Sequence, residues 1–272
     1  MDVLKALFLG FLQGATEFLP ISSSGHLVLV PWWFGWDAPP LVFDVTVHMG
    51  TLVAVLMYFW RDWLALFRAG LGALRSRSFF QDPDARLLLL IGVGTVPAAL
   101  AGALLESVFE CAFASPAVVS LFLLVTAGVL VWSERVYKAD RPLRELTLRD
   151  ALAVGLAQAF AIFPGISRSG STMAMGIARG LSRPNAARFS FLLATPIILG
   201  AGAKQTLDVL RGAETVARAD IAPLVAGFLA AAGTGFVCIW FLMRLLQRWR
   251  LYVFAAYCAA LGTLSLLGVF LF

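Results

Sequence analysis

Along the 272-residue chain, long apolar runs alternate with short clusters of charge. Leu87–Leu105, Cys111–Ser133, Ile221–Met243 and Leu251–Phe272 contain no charged residue at all. Each is long enough for a helix to cross ~30 Å of hydrocarbon. The pattern predicts full spans near 42–60, 87–105, 113–133, 187–203, 221–243 and 251–271. Two other stretches, 3–35 and 149–183, each hold two short apolar pieces broken by a proline and a serine-glycine loop. The first loop reads PISSSGH (20–26) and the second PGISRSGS (164–171).

Composition sharpens this into a class. The chain is 60% hydrophobic and 14% charged, with a mean hydropathy of +0.87, where a soluble domain carries roughly a quarter charged residues. An all-α polytopic membrane protein follows. Ala6–Leu19 resembles a signal-peptide core behind Lys5, but Gln13 and Glu17 interrupt it and no small-x-small site follows, so it is expected to belong to the fold. Cys111, Cys238 and Cys258 lack CxxC spacing, which argues against a thiolate metal site or a disulfide framework. With His26 and His48 the only histidines, a multi-histidine metal site is excluded.

Charge then orients the spans. Basic residues crowd Arg61–Arg86, Arg135–Arg149 and Arg244–Arg250, whereas the connection near Glu106 and Glu110 carries none. By the positive-inside rule the three basic loops are cytoplasmic and the Glu106 loop is outside. The Lys204–Asp220 connection is mixed in sign and decides little. Basic residues lie beside spans without interleaved stacking aromatics, so a nucleic-acid role is not expected. Counting spans leaves 3–35 and 149–183 with both ends on one side of the membrane. Each is predicted to be a re-entrant helical hairpin, the first dipping in from outside and the second from the cytoplasm.

The two hairpins are related. Shifted by 145 positions, Ala6–Gly25 aligns with Ala151–Gly170, with nine of twenty positions identical, and Gln13 falls on Gln158. At an offset of 146, Phe43 meets Phe189. Two units of opposite orientation make an inverted-topology repeat whose broken helices meet near the midplane. Irregular backbone at that depth must be buried in protein or line a wet cavity. The expected architecture is therefore one integral membrane domain over 1–272. It comprises repeat 1 at about 1–134, repeat 2 at about 147–272, about six full spans and two re-entrant hairpins.

The loops carry the candidate chemistry. Gly25, Gly165 and Gly170 permit tight turns, and the helices that follow aim free N–H groups back into each loop. With Arg168 and the hydroxyls of Ser167, Ser169, Ser171 and Thr172, the second loop is suited to phosphate, since guanidinium binds phosphate oxygens bidentately. The plainer reading of Arg168 is an ion pair with Glu17 that only joins the hairpins, but it leaves the many hydroxyls unexplained. In the first loop Glu17, Ser23 and His26 are the titratable or nucleophilic groups, and Ser23 and His26 are three apart. A hydroxyl beside an imidazole oriented by a carboxylate is an activated-nucleophile arrangement. Ser22, Ser23 and Ser24 also suit helix capping. Gln13 and Glu17 share one helix face, and Asp44 and His48 repeat that spacing on the next helix, either supporting the site or facing water.

QGATEFLPISSSGH (13–26) and PGISRSGST (164–172) resemble the two signature regions of the undecaprenyl-diphosphatase, or bacitracin-resistance, family. The resemblance covers essentially the whole chain. It implies hydrolysis of undecaprenyl diphosphate to the monophosphate and inorganic phosphate, recycling the lipid carrier of cell-wall synthesis in the bacterial inner membrane. On that resemblance Glu17, Ser23, His26 and Arg168 are catalytic. The phosphate would be held by Ser22, Gly25, Gly165, Ser167, Ser169, Gly170, Ser171 and Thr172, with Gln13 in support. A divalent cation, Mg²⁺ or Ca²⁺, would rest on Glu17, because some members carry a second glutamate where this chain has Gln13. The site is expected to face the exterior or periplasm, and a homodimer is left open.

Two rivals were weighed. A lipid-carrier flippase would use the same inverted repeat. A type-2 phosphatidic acid phosphatase shares a Ser-Gly-His string, but its Lys-x6-Arg-Pro motif fails, since Glu134 and Gly176 occupy the lysine positions. Its Ser-Arg-x5-His motif fails at Ala174. Whether Ser23, His26 or a water attacks phosphorus stays open from sequence.

Overall fold

A computed structural model describes residues 1–77, 79–105, 115–138, 141–211 and 218–271. The Glu106–Glu110 connection, Cys111 and much of the mixed-charge connection before Asp220 lie outside the described residues. Among those described there are eleven α-helices and no strand. In the first half these are α1 (Val3–Phe18), α2 (Ser23–Trp33), α3 (Leu41–Tyr58), α4 (Trp60–Ser76), α5 (Pro83–Leu104) and α6 (Pro116–Val136). The second half gives α7 (Leu148–Phe160), α8 (Arg168–Ala178), α9 (Arg183–Leu210), α10 (Ile221–Leu245) and α11 (Tyr252–Leu271).

Six of them, α3, α5, α6, α9, α10 and α11, are long and apolar enough to cross a membrane. They coincide with the six expected spans, although α9 runs well beyond 187–203 at both ends. The stretches expected to be hairpins each contain two short helices, α1 with α2 and α7 with α8, joined through the serine-glycine loops. Local chemistry sets these starts. Asp2 accepts from the Lys5 N–H to cap α1, and Asp82 caps α5 ahead of Pro83. Thr147 and Asp150 form a reciprocal capping box at α7.

Helix α4 was not anticipated from the apolar runs. Its Arg61, Arg68 and Arg75 break any continuous hydrophobic stretch, yet Trp63, Leu66, Gly70 and Ala73 recur on one buried face. Such spacing makes an amphipathic helix that packs on α5 without spanning.

Packing buries most of α8 and one face each of α1 and α7. Helix α1 lies along α10, and α7 lies along α5. Both contacts need glycine. A Cβ on Gly10 would come 2.3 Å from the Gly227 carbonyl, and one on Gly155 would come 2.2 Å from that of Gly94. Two buried ion-pair clusters tie the Arg135–Arg149 side of the bundle together. Glu134 on α6 accepts from Arg183 Nε and Nη2 at 2.8 and 2.5 Å and from the Leu251 N–H at 2.9 Å, so it joins α6, α9 and the start of α11. Asp150 accepts from Arg179 at 2.7 Å and Arg141 at 3.2 Å. Burial alone would raise its pKa, but hydrogen bonds from Arg179, Thr147 and Arg141 outweigh it and hold the carboxyl below its usual value.

Candidate active site

Each loop is held by a helix of the surrounding bundle and then turned into a short helix by a serine. In the first loop the backbone leaves α1 at Leu19 and Pro20, and the Ser22 side chain accepts from the Gly25 N–H at 3.3 Å to cap α2. Ser22 has a φ of 69°, a costly conformation for a residue with a Cβ, held here by that cap and by the His26 contact described below. In the second loop Gly165 takes a φ of 93°. Thr126 on α6 donates to its carbonyl at 2.9 Å and accepts from the Ser167 N–H at 3.0 Å. Ser167 then caps α8 by accepting from the Gly170 N–H at 3.0 Å.

The loops touch. Ser169 donates to the Leu19 carbonyl at 3.0 Å, and a Cβ on Gly25 would lie 3.4 Å from the Gly165 Cα. Two helix N-termini, those of α2 and α8, thus converge. Their free N–H groups and dipoles favour an anion between them.

Glu17, at the end of α1, is the hub. Its Oε2 accepts from the Ser23 hydroxyl at 2.5 Å and from Gln13 Nε2 at 2.9 Å. Its Oε1 accepts from Arg168 Nη2 across the loop contact. The Arg168–Glu17 ion pair considered from sequence is therefore present, but it does not exhaust the guanidinium. Arg168 has five N–H donors, and the others have no partner among the described residues. They remain free to hold a second anion. A charge-assisted bond from Ser23 to a buried carboxylate is the geometry that prepares a hydroxyl to lose its proton.

The histidines divide differently from expectation. His26 does not meet Ser23; its Nδ1 donates to the Ser22 carbonyl at 2.7 Å. That fixes the tautomer of the neutral ring, so Nε2 accepts from the Tyr257 hydroxyl of α11 at 2.7 Å. Both nitrogens are engaged and the side chain is buried. His48 on α3 instead brings its Nε2 to 3.6 Å from Glu17 Oε2. Its Nδ1 donates to the Asp44 carbonyl at 2.7 Å. Sequence spacing had flagged Asp44 and His48 without connecting them to Glu17, and nothing in the sequence pointed to Tyr257.

The remaining candidates fall into place by contact. Ser22, Gly25, Ser167 and Gly170 form the two caps, and Ser169 bridges the loops. Ser171 is buried on the first turn of α8. The Thr172 hydroxyl bonds the Arg168 carbonyl at 2.7 Å and Ser190 at 2.6 Å, which ties α8 to α9. As placed, these residues do not make a cation cage. Both Glu17 oxygens already accept hydrogen bonds, Gln13 turns its amide donor toward them, and Arg168 supplies the positive charge.

Fold and site together define a multi-pass helical membrane protein with a carboxylate, a hydroxyl and a guanidinium assembled between two serine-glycine loops. The chain belongs to the bacitracin resistance protein BacA family, whose model matches residues 6–264. Among curated relatives, it is 46% identical over 277 residues to a protein of Thermomicrobium roseum, covering 99% of each chain. It is 44% identical over 262 residues to one of Desulforudis audaxviator, covering 96% of each. A third, from Pelotomaculum thermopropionicum, is 43% identical over 268 residues, covering 98% of this chain and 97% of the relative. All three relatives bear the name undecaprenyl-diphosphatase.

Proposed function

We propose that this protein hydrolyses undecaprenyl diphosphate to undecaprenyl phosphate and inorganic phosphate, as the names of its relatives indicate for them. The observation that carries the reading is the Ser23–Glu17–Arg168 arrangement across the loop contact. Ser23 Oγ attacks the terminal phosphorus while its proton passes to Glu17. The bridging P–O bond breaks, and undecaprenyl phosphate leaves with the electron pair. Arg168 and the N-termini of α2 and α8 stabilise the charge that grows on the phosphoryl oxygens. Once Glu17 has given up that proton, water attacks the phosphoserine, Glu17 takes the water's proton and returns it to Ser23, and phosphate departs. His26 positions the loop, pinning the Ser22 carbonyl from the Tyr257 side. The remaining candidate residues line or cap the phosphate cradle. A divalent cation would have to arrive on the diphosphate oxygens, and no step here depends on it.

The same reading makes the two halves an inverted repeat, and contacts recur between them at the offset of 145. Ser22 and Ser167 cap in the same way, each with a neighbouring serine two residues on, at 3.3 and 3.2 Å. Gly10 crosses α10 as Gly155 crosses α5. Thr126 of α6 holds the Gly165 carbonyl, while Cys258 of α11 donates to that of Pro20 at 3.7 Å. With the basic loops inside, the first hairpin enters from the exterior of the inner membrane, so a diphosphate tethered in the outer leaflet reaches Ser23 with its tail in lipid.

The test is phosphate release from undecaprenyl diphosphate by purified protein in detergent. Equal amounts of inorganic phosphate and undecaprenyl phosphate are expected. Neither product, with lipid transport in vesicles, would replace the phosphatase by a flippase.

A further inference from the structure

The proposed reaction leaves a proton to be disposed of. Attack by Ser23 delivers its proton to Glu17, and the departing phosphate monoester leaves as a dianion that needs none. For water to be activated in the second half-reaction, Glu17 must first become a carboxylate again.

We infer that His48 is the residue that takes this proton from Glu17 and passes it to water. The inference rests on the phosphatase reading above. Around Glu17 Oε2 stand the Ser23 hydroxyl, the Gln13 amide N–H and His48 Nε2. The amide is a donor only, and Ser23 is by then esterified, which leaves His48 as the acceptor. Its Nδ1–H is held by the Asp44 carbonyl at 2.7 Å, so the Nε2 lone pair of the neutral ring is the one turned to Glu17 at 3.6 Å. The side chains of His48 and Glu17 are 31% and 3% exposed respectively, so a proton passing from Glu17 to His48 moves from a buried carboxylate to a more accessible group. His26 cannot do this, being buried with both nitrogens engaged.

Other groups on neighbouring elements are few. Helix α3 itself carries Asp44 and Tyr58, and α1 carries Lys5 and Glu17. The packed helices α9, α10 and α4 carry Arg183, Arg188, Lys204 and Asp208; Cys238 and Arg244; and Arg61, Asp62, Arg68 and Arg75. Of the last set, Asp62 is paired with Arg188.

The step balances. Ser23 Oγ–P forms and the bridging P–O bond breaks with its electrons on undecaprenyl phosphate. The serine proton then travels from Glu17 to His48 Nε2 and on to solvent. Water later supplies hydroxide to phosphorus and a proton that returns through Glu17 to Ser23.

Wild type, His48→Gln, His48→Asn and His26→Gln are compared in detergent, with undecaprenyl phosphate and inorganic phosphate quantified at early times across a range of pH. In wild type the two products rise together, and turnover falls in acid. Both His48 variants should turn over about 100-fold more slowly. They should also release about one equivalent of undecaprenyl phosphate per enzyme ahead of inorganic phosphate, with the acid limb moved to lower pH. His26→Gln should slow turnover without that burst and keep the wild-type limb. His48 variants with wild-type pH dependence and no burst would overturn the assignment, as would a wild type lacking an acid limb. If neither His48 variant folds, burst and steady phases of the wild type at low pH carry the test: protonated His48 must produce the burst there, and its absence overturns the assignment. A wild type that releases neither product fails the phosphatase reading itself, which is a separate result.

Discussion

In the proposed reaction Arg168 serves two anions at once. One Nη holds Glu17, and the remaining N–H groups of the planar fork have no partner among the described residues. Lysine would keep the charge but lose the fork, so it can satisfy Glu17 or the phosphate but not both in the same geometry. Arg168→Lys is expected to reduce turnover about 10²–10³-fold with little change in thermal stability. Assays of phosphate release with a melting curve in the same detergent would check it. Tyr257 acts at one remove. Tyr257→Phe deletes the O–H that fixes His26 Nε2 while keeping the stacked ring, whose centroid lies 5.7 Å from the imidazole. A loss of about tenfold in turnover is expected, within the range of one hydrogen bond. An unchanged rate would show that His26 needs no partner on α11.

At this scale the sequence was informative where chemistry is local. Glu17, Gln13 and Ser23 fall within a few residues, and the spacing that puts Gln13 and Glu17 on one helix face is visible directly. Three-residue spacing favours His26 as the partner of Ser23. The cap at Ser22 instead turns the imidazole back onto the Ser22 carbonyl, leaving Ser23 to Glu17. Tyr257 is 231 positions from His26, and no periodicity connects them.

Among elements, the glycine crossings set how deeply the short helices sit. Gly10 and Gly155 have backbone carbonyls inside the space that a methyl would need, and backbone cannot rotate away as a side chain can. Gly10→Ala and Gly155→Ala should each destabilise by about 1–3 kcal/mol, the range for overpacking. Gly128→Ala and Gly233→Ala, which face open space, serve as controls and should melt near wild type or slightly above. Thermal unfolding in detergent separates the two pairs. The six apolar helices were legible because uncharged runs have few other solutions in a bilayer. Helix α4 was not, since its arginines read as a loop until the buried face of Trp63, Leu66, Gly70 and Ala73 is seen together.

For the whole molecule, charge asymmetry and the repeated loops make one prediction about sidedness. In a variant with Cys111, Cys238 and Cys258 replaced, a cysteine at Asp37 should label with a membrane-impermeant reagent on intact cells. One at Arg77 should label only after the membrane is opened. Labelling of both from outside would break the link between basic loops and the cytoplasm, and the inverted arrangement with it. The internal similarity is visible in the sequence as nine identities, the Gln13–Gln158 match among them. That its two copies would meet through Ser169, Leu19, Gly25 and Gly165 required the packing around them.

The account turns on Ser23 and Glu17 acting as one unit, nucleophile and base, joined by the 2.5 Å hydrogen bond. Rates of phosphate release from undecaprenyl diphosphate by Ser23→Ala, Glu17→Gln and the double variant test this most directly. Each single change should cost at least about 10³-fold, and the double should be no worse than the poorer single within about threefold, since removing either disables the other. Losses that multiply in the double variant would mean that the two residues act independently and that Ser23 is not activated by Glu17.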